Sequence, residues 1–456
     1  MQGFTQKLHR RPLAGMVWRM KQADTIIHAR WIIPVDGAAH SLPHHSLVIH
    51  EDRIEAIGER DVIARHYQAR TEVDCSRHAV LPGLINAHTH AAMSLFRGMA
   101  DDLALMDWLQ QHIWPAESAQ VNEDFVQCGV ELAIAEMLRG GITCMNDMYF
   151  HPDVTARVCK QAGFRATVGL IALDFPTVWA RDADEYLDKG LAVHDQYRDD
   201  ALIRTAFAPH APYTVSDGLL EKIRTFADEM DLPIHMHVHE TADEIRQAVE
   251  ATGKRPLARL HELGLLTPSL QAVHMTQLND EEITLLAETG VQVIHCPESN
   301  MKLASGFCPV AQLQQAGINV ALGTDGAASN NDLNLLGEMR SAALIGKGIA
   351  ADATVLPAAG VLRMATLNAA RALGLGELTG SLEVGKQADI IAVDFATIET
   401  APVFDPVSHL VYCTDRSQVS DVWVAGKQLM KQRRLTTLDT QKILLDSENI
   451  SSKFNN

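Results

Sequence analysis

Histidines and carboxylates that could bind a metal ion are spread over much of the chain. Two of them, His88 and His90, stand one residue apart in the run LINAHTHAAM. Others occur at the ends of later apolar runs: His210, His237, Glu240, His274, His295 and Asp325. Imidazole nitrogens with one carboxylate oxygen suit zinc, and also iron or manganese. Three histidines and one aspartate leave a position for water, whose pKa the metal lowers. A carboxylate outside the set, such as Glu240, can then carry protons.

The elements that must position these residues alternate between strand and helix over residues 81–378. Eight short apolar runs are separated by stretches of helical period, and the runs are VLPGLINAH, GITCMNDM, RATVGLIAL, IRTAFAPH, LPIHMHVHE, LQAVHM, VQVIHCP and INVALGTD. This alternation predicts a parallel sheet, and eight units predict an α/β fold of the (β/α)8 TIM-barrel type. Because the carboxyl ends of the strands line one pocket in such a barrel, we expect the candidate residues to converge there.

Both ends of the chain predict a second, smaller unit. Residues 23–80 and 379–436 contain β-rich segments such as DTIIHARWIIPVD and GKQADIIAVDF, separated by turn residues. We expect these two segments to form one composite β-sandwich domain beside the barrel of residues 81–378. Residues 1–22 are predicted to be an N-terminal extension, and residues 437–456 a C-terminal helix or tail.

Composition and charge exclude several classes of function. A net charge of −18 argues against a nucleic-acid partner, because phosphate backbones require clustered Lys and Arg. No apolar run reaches the roughly 18 residues of a membrane-spanning helix, so we expect no membrane partner. The seven cysteines are scattered and form no CxxC pair, which indicates free thiols in a reducing compartment. The basic segment 1–21 lacks the long apolar core of a signal peptide, and we expect a cytoplasmic location.

Four motifs in a fixed order carry a resemblance to a known family: PGLINAHTH, HVHET, HCPESNMKLASG and GTDGAASNN. Together they resemble the amidohydrolase superfamily, most closely its branch of 5'-methylthioadenosine and S-adenosylhomocysteine deaminases. The resemblance covers nearly the whole chain, including the segment GSLEVGKQADIIAVD near its end. It implies a hydrolase of the C–N bond of a cyclic amidine. Such an enzyme converts the adenine of methylthioadenosine, S-adenosylhomocysteine or adenosine to hypoxanthine and releases ammonia.

The resemblance also implies a ligand set and proton carriers. One divalent metal, in the family usually zinc, would be held by His88, His90, His237 and Asp325. Glu240 matches the family's proton shuttle, and His274 matches the histidine that positions and deprotonates the metal-bound water. Asp325 would also accept a proton during attack. His210 stands where binuclear members carry a bridging lysine, so a single metal is expected.

Three histidines alternate in the run IHMHVHET, so all three could share one face of a strand. The ligand of the family lies three residues before the Glu-Thr pair, and this spacing selects His237. We therefore expect His235 and His239 to be structural residues.

Substrate contacts are assigned from the same resemblance. Trp108 matches a tryptophan that packs against the nucleoside, and His210 matches a histidine that touches the purine. The family pattern places a ribose-binding glutamate where this chain has Met106, so either Glu117 takes over that contact or the sugar is held differently. Arg165 is a candidate for the carboxylate of S-adenosylhomocysteine, reaching into a neighbouring subunit of a homodimer or homotetramer. Because LIALDFPTVWARD is apolar where a second arginine is expected, we predict a preference for methylthioadenosine.

Two other interpretations are compatible with the residues. A triazine hydrolase, or a guanine or cytosine deaminase, would use the same mononuclear metal site on another heteroaromatic ring. A barrel that has lost catalysis and serves assembly is the second interpretation. Such relatives lack metal ligands, whereas the full set is present in this sequence.

Overall fold

Two sheets organise the chain, and the computed structural model describes residues 20–37 and 40–452 of it. Most of the predicted extension, residues 1–19, lies outside the described residues. The first sheet begins with β1 Lys21–Ile32, β2 Leu42–Pro43, β3 His45–His50, β4 Arg53–Glu59, α1 Arg60–His66 and β5 Tyr67–Pro82. β3 and β4 pair antiparallel as a hairpin, and Glu51 in its turn has a left-handed φ of 54°.

Eight parallel strands form the second sheet: β6 Leu84–Thr89, β7 Ile142–Asp147, β8 Arg165–Ala172, β9 Ile203–Pro209, β10 Ile234–Val238, β11 Leu270–His274, β12 Gln292–His295 and β13 Val320–Leu322. Each strand pairs with its neighbour in chain order. The sheet closes where Thr324 and Asp325, just after β13, donate backbone N–H groups to the His88 carbonyl at 3.2 and 3.0 Å. The predicted (β/α)8 fold class is therefore confirmed, with one strand in each of the eight apolar runs.

Helices connect the barrel strands or follow the last of them. Those between barrel strands are α2 Leu105–Trp108, α3 Trp114–Gln120, α4 Glu123–Arg139, α5 Pro152–Ala162, α6 Ala183–Tyr197, α7 Asp217–Met230, α8 Ala242–Thr252, α9 Pro256–Glu262, α10 Asp280–Thr289, α11 Pro297–Lys302 and α12 Val310–Gln315. After β13 come α13 Ala327–Asn330, α14 Leu335–Ala350, α15 Ala358–Met364 and α16 Leu367–Ala372. A 3-10 helix, Ala91–Phe96, follows β6, and one π-helical turn, Leu109–Ile113, separates α2 from α3. Side chains cap several helices, since Asn122, Asp182 and Thr241 accept N–H groups at the starts of α4, α6 and α8.

The chain returns to the first sheet after the barrel, with β14 Ile390–Asp394, α17 Pro406–Tyr412, β15 Val419–Val424, β16 Lys427–Lys431, β17 Arg434–Leu435 and finally α18 Thr440–Ser451. β14 pairs antiparallel with β5, so both ends of the chain share one nine-stranded sheet. Its strand order is β17-β16-β15-β14-β5-β1-β3-β4, with β2 paired to β1. Two short 3-10 helices, Ile398–Thr400 and Arg416–Gln418, complete the described elements. The smaller unit predicted from both termini is thus present as a separate sheet.

Two glycines permit close packing at the two ends of β6. A Cβ on Gly83, between β5 and β6, would lie 2.0 Å from Oγ1 of Thr143. A Cβ on Gly323, just after β13, would lie 2.8 Å from both the Cβ and the backbone nitrogen of His88. Only a residue without a side chain fits such spaces. Gly323 of the GTD motif therefore lets the end of β13, with Asp325, pack directly against β6.

Arg165 corrects one sequence-based expectation. It is the first residue of β8, at the amino end of the strand, and is 2% exposed. Its Nε donates to Oδ2 of Asp389 at 2.7 Å, and its Nη2 donates to Oδ1 at 3.1 Å. Asp389 directly precedes β14, so this buried ion pair joins the barrel to the terminal sheet. A buried guanidinium needs a paired carboxylate, and Arg165 finds one inside its own chain instead of at a substrate or a neighbouring subunit.

Arg165→Met is expected to lower the free energy of unfolding by about 3–5 kcal/mol, because it leaves the Asp389 carboxylate buried without its partner. Urea denaturation measures this loss, and kcat/KM of the folded variant should stay unchanged. Arg198→Met is the control, since Arg198 pairs with Asp195 on the surface at 3.7 Å with 61% of its side chain exposed. Such an exposed pair contributes at most about 1 kcal/mol. Equal losses in both variants would contradict the structural role of Arg165.

Candidate active site

The four residues of the predicted metal set come together at the carboxyl ends of β6, β10 and β13. One ligand atom from each of His88, His90, His237 and Asp325 can be chosen so that all four lie within 4.8 Å of one another. The Nε2 atoms of His88 and His90 are 3.2 and 3.1 Å from Oδ1 of Asp325. Among the described residues, no other group of three or more His, Cys, Asp or Glu side chains gathers in this way. The structure thus brings together distant residues that the barrel topology was expected to unite.

Hydrogen bonds to the second ring nitrogen orient the histidines of this set. Nδ1 of His90 donates to the carbonyl of Met148, and Nδ1 of His237 donates to the carbonyl of His210 at 2.7 Å. A carbonyl only accepts, so both rings carry their proton on Nδ1 and leave Nε2 free for a metal. Nδ1 of His88 instead lies 2.9 Å from Nε2 of His235.

Two serine hydroxyls hold the carboxylate of the set. Oδ2 of Asp325 accepts hydrogen bonds from Oγ of Ser299 at 2.6 Å and from Oγ of Ser329 at 2.7 Å. The backbone of Asp325 is left-handed, with φ 61°, which a non-glycine residue adopts only when its surroundings impose it. Oδ1 consequently faces the histidines while Oδ2 is occupied by the serines.

The donor chemistry fits one divalent cation. Three imidazoles and one carboxylate are ligands that zinc accepts, and they leave a further position open. Burial lowers the pKa of His237 well below its ordinary value and so favours the neutral ring that binds a metal, whereas at His90 the Asp325 carboxylate outweighs burial and raises the pKa to about 9. No lysine stands at the end of β9, where His210 occupies the position next to the set. These observations support a mononuclear site.

Glu240 and His274 lie beside the metal set at the ends of neighbouring strands. Nε2 of His274 is 3.8 Å from Oε2 of Glu240. Nδ1 of His274 donates to Oδ1 of Asn300 at 2.8 Å, which leaves Nε2 free to accept a proton. Burial raises the pKa of Glu240 above its ordinary value. A raised pKa favours the protonated carboxyl, the form that can give a proton to a substrate.

A cavity of about 520 Å³ opens above these groups. Trp108, Glu117 and His210 line it, together with an apolar wall formed by Leu105, Leu109, Ile113, Trp114, Ile171, Leu173, Phe175 and Val178. Burial raises the pKa of Glu117 to about 7, partly offset by the Tyr149 hydroxyl and by His90. Met106 does not line the cavity but packs, half-buried, against the core. Of the two positions considered for a ribose contact, only Glu117 therefore faces the cavity.

Several polar residues of the site were not predicted from the sequence. Ser299 and Asn300 lie in HCPESNMKLASG and Ser329 lies in GTDGAASNN, so the motifs contained them without indicating which atoms they hold. The contact of His235 with His88 was also missed, because strand alternation gives a shared face but no partner. His295, which ends the seventh apolar run, is buried outside the metal group.

Known proteins similar to this chain agree on one family. The model of the amidohydrolase family matches residues 79–429. The 5-methylthioadenosine/S-adenosylhomocysteine deaminase of Saccharophagus degradans is 50% identical over 92% of this chain and 94% of its own length. The crystal structure of an adenosine deaminase from Xanthomonas campestris with bound zinc is 50% identical, with a TM-score of 0.95, over 96% of this chain and 100% of that one.

A more distant structure shares the fold. The atrazine chlorohydrolase of Arthrobacter aurescens TC1, complexed with zinc, has a TM-score of 0.87 at 24% identity, over 94% of this chain and 100% of that one. At this identity the likeness concerns the fold alone. The family model and the relative from Saccharophagus degradans, by contrast, each match most of the chain. The chain therefore belongs to the amidohydrolase family, and it is a hydrolase that acts on carbon–nitrogen bonds.

Proposed function

We propose that the chain deaminates the adenine ring of 5'-methylthioadenosine, and also that of S-adenosylhomocysteine or adenosine, to hypoxanthine with release of ammonia. The observation that carries the proposal is the gathering of His88, His90, His237 and Asp325 beside Glu240 and His274 at the floor of a largely apolar cavity. Relatives named 5-methylthioadenosine/S-adenosylhomocysteine deaminase at up to 50% identity support the same reaction. The cofactor is one divalent metal ion per subunit, with zinc preferred over iron or manganese.

Different residues of the chain carry out different steps of the reaction. A divalent metal, when bound to the four-residue set, supplies the Lewis acidity that makes water a nucleophile near neutral pH. His274 orients the attacking water and takes its proton through Nε2. Glu240 gives a proton to ring nitrogen N1, which makes C6 more electrophilic. The carboxylate then takes the remaining proton of the added water from the oxygen on C6 and passes it to the departing amino group. The proton held by His274, 3.8 Å away, finally returns to Glu240 and restores both groups. Water oxygen thus becomes bonded to C6 as the bond from C6 to the amino nitrogen breaks, and ammonia leaves.

The residues that line the cavity indicate which of the substrates the enzyme prefers. Among the described residues that line the cavity, none is Arg or Lys. S-adenosylhomocysteine ends in an amino acid whose carboxylate requires a cationic partner, whereas the methylthio group of methylthioadenosine suits an apolar wall. Arg165, the predicted partner of that carboxylate, is held by Asp389 away from the cavity. We therefore place methylthioadenosine above S-adenosylhomocysteine.

Steady-state kinetics on methylthioadenosine, S-adenosylhomocysteine and adenosine test this ranking. We expect the highest kcat/KM with methylthioadenosine, because its 5' methylthio group is apolar and packs against the apolar wall. The 5' group of adenosine is a polar hydroxyl, and that of S-adenosylhomocysteine is charged. A higher kcat/KM with S-adenosylhomocysteine would reverse the ranking and require a cationic group from another subunit. Absence of ammonia from all three compounds would reject the proposed reaction itself.

Glu117→Gln is expected to raise KM for methylthioadenosine by about 10- to 100-fold, because hydrogen bonds from ribose hydroxyls to a carboxylate are stronger than those to an amide. The effect on kcat should be smaller, since Glu117 does not touch the reacting carbon. Met106→Leu is the matched control on the same segment and should leave both constants unchanged. A substrate analogue without ribose hydroxyls should be insensitive to Glu117→Gln. Equal effects on both substrates would assign Glu117 a general structural role.

We also propose a cytoplasmic location and a homo-oligomeric assembly. Six of the seven cysteines are buried free thiols, and this supports a reducing, cytoplasmic compartment. In the described part of the chain, no helix is long and apolar enough to cross a membrane. We also propose a homodimer or homotetramer, and light scattering coupled to size-exclusion chromatography distinguishes these states from a monomer.

A further inference from the structure

His235 contacts His88, the first histidine of the metal set, through a ring nitrogen. It is on β10, two residues before His237, and is fully buried. Its Nε2 is 2.9 Å from Nδ1 of His88, and the two rings meet edge to face at 82° with centroids 4.9 Å apart. The hydrogen-bond partner of Nδ1 of His88 is therefore another side chain.

This arrangement differs from that of the other two histidines in the set. His90 and His237 donate from Nδ1 to the backbone carbonyls of Met148 and His210. A carbonyl cannot donate, so the backbone alone fixes the tautomer of those two rings. The partner of His88 is an imidazole, which donates or accepts according to its own tautomer. Of the three contacts, only this one can be changed by substituting the side chain that makes it.

The pair of rings has two arrangements with the same number of protons. In the first, His88 carries its proton on Nδ1 and donates it to Nε2 of His235, which leaves Nε2 of His88 open to a metal. In the second, His235 donates from Nε2 and the proton of His88 sits on Nε2, directed at Oδ1 of Asp325 at 3.2 Å. The second arrangement removes His88 from the ligand set.

We propose that His235 is a positioning residue for the metal site. By accepting the Nδ1 proton of His88, it selects the tautomer in which Nε2 of His88 binds the metal. The Nδ1 atom of His235 is buried without a hydrogen-bond partner among the described residues, so the contact of its Nε2 with Nδ1 of His88 is its one polar contact. The inference rests on the proposed metal set and is independent of which purine the enzyme accepts.

Zinc affinity, measured by competition with a chromophoric chelator, tests the role of His235. We expect His235→Leu to weaken zinc binding by about 10- to 100-fold, the usual effect of losing a residue that orients a metal ligand. His235→Gln should restore most of the affinity, because its Oε1 accepts the same proton. His295→Leu is the matched control, since His295 is also buried, on β12 of the same sheet, and lies outside the metal group.

The outcomes separate this inference from the proposed metal set. Wild-type affinity in His235→Leu, or equal weakening in His235→Leu and His235→Gln, would overturn the acceptor role. Failure of the wild type to bind one zinc ion would reject the metal set itself. Nitrogen NMR of the histidine rings in the zinc-loaded wild type is a second test that needs no variant. It should show the proton of His88 and that of His235 on Nδ1, and a proton on Nε2 of His235 would contradict the proposal.

Discussion

Glu240→Gln is expected to lower kcat for methylthioadenosine by roughly 10²- to 10⁴-fold, the range that a positioned general acid–base group supplies. The amide keeps the size of the side chain but cannot pass a proton to N1 and then to the leaving amino group. Glu240 is not part of the metal set, so the zinc content of the variant should equal that of the wild type. Stopped assays of ammonia release and metal analysis of the same sample measure both quantities.

Glu117→Gln provides the matched control for this prediction. It makes the same substitution in the same cavity, yet it should act mainly on KM, because Glu117 lines the wall and Glu240 lies next to His274. A Glu240→Gln variant that keeps wild-type kcat would show that another group carries the proton. Loss of zinc in that variant would instead place Glu240 among the metal-binding groups.

His237→Ala is expected to abolish stoichiometric metal binding, and turnover with it. Removal of one donor leaves two imidazoles and a carboxylate, while the His210 carbonyl keeps the backbone N–H of residue 237 as its partner. Ligand binding to the folded state stabilises it, so zinc at about 1,000 times its Kd should stabilise the wild type by about 4 kcal/mol. The variant should show no such gain. Urea denaturation with and without zinc measures the difference.

His239→Gln is the control on the same strand end. His239 is also buried, but its Nε2 accepts the N–H of Leu257 and it lies outside the metal set. The glutamine variant should bind one zinc ion and keep the stabilisation by zinc, even where its own stability is reduced. Retained zinc binding in His237→Ala, or its loss in His239→Gln, would show that the wrong histidine of the IHMHVHET run was selected.

The strand pattern of the sequence was enough to predict the barrel and the meeting of distant residues. Each apolar run became one strand, and the topology of a closed parallel sheet then placed His88, His237 and Asp325 at one end. Periodicity determines which face a residue occupies and which end of a strand it follows. These two properties are sufficient to predict convergence, without any knowledge of side-chain geometry.

Contacts that depend on side-chain reach could not be predicted in this way. Arg165 was assigned to a substrate carboxylate because arginine suits that role, whereas the structure pairs it with Asp389, 224 positions away in sequence. Nothing in the local sequence of either residue indicates that pairing. Ser299 likewise holds Asp325 only because α11 directs its hydroxyl inward. The spacing of residues along the chain determines where each residue lies on its strand or helix. Which polar atoms form hydrogen bonds depends on how the strands and helices pack against one another.

The most direct test of the account is the product balance of the zinc-loaded wild type with methylthioadenosine. The proposed chemistry predicts one ammonia released for each substrate consumed, with the adenine ring converted to hypoxanthine and the ribose and methylthio group retained. Loss of adenine absorbance and an enzymatic ammonia assay follow the two products in the same reaction. Intact methylthioadenosine after prolonged incubation, or a purine freed from its sugar without ammonia, would contradict the account.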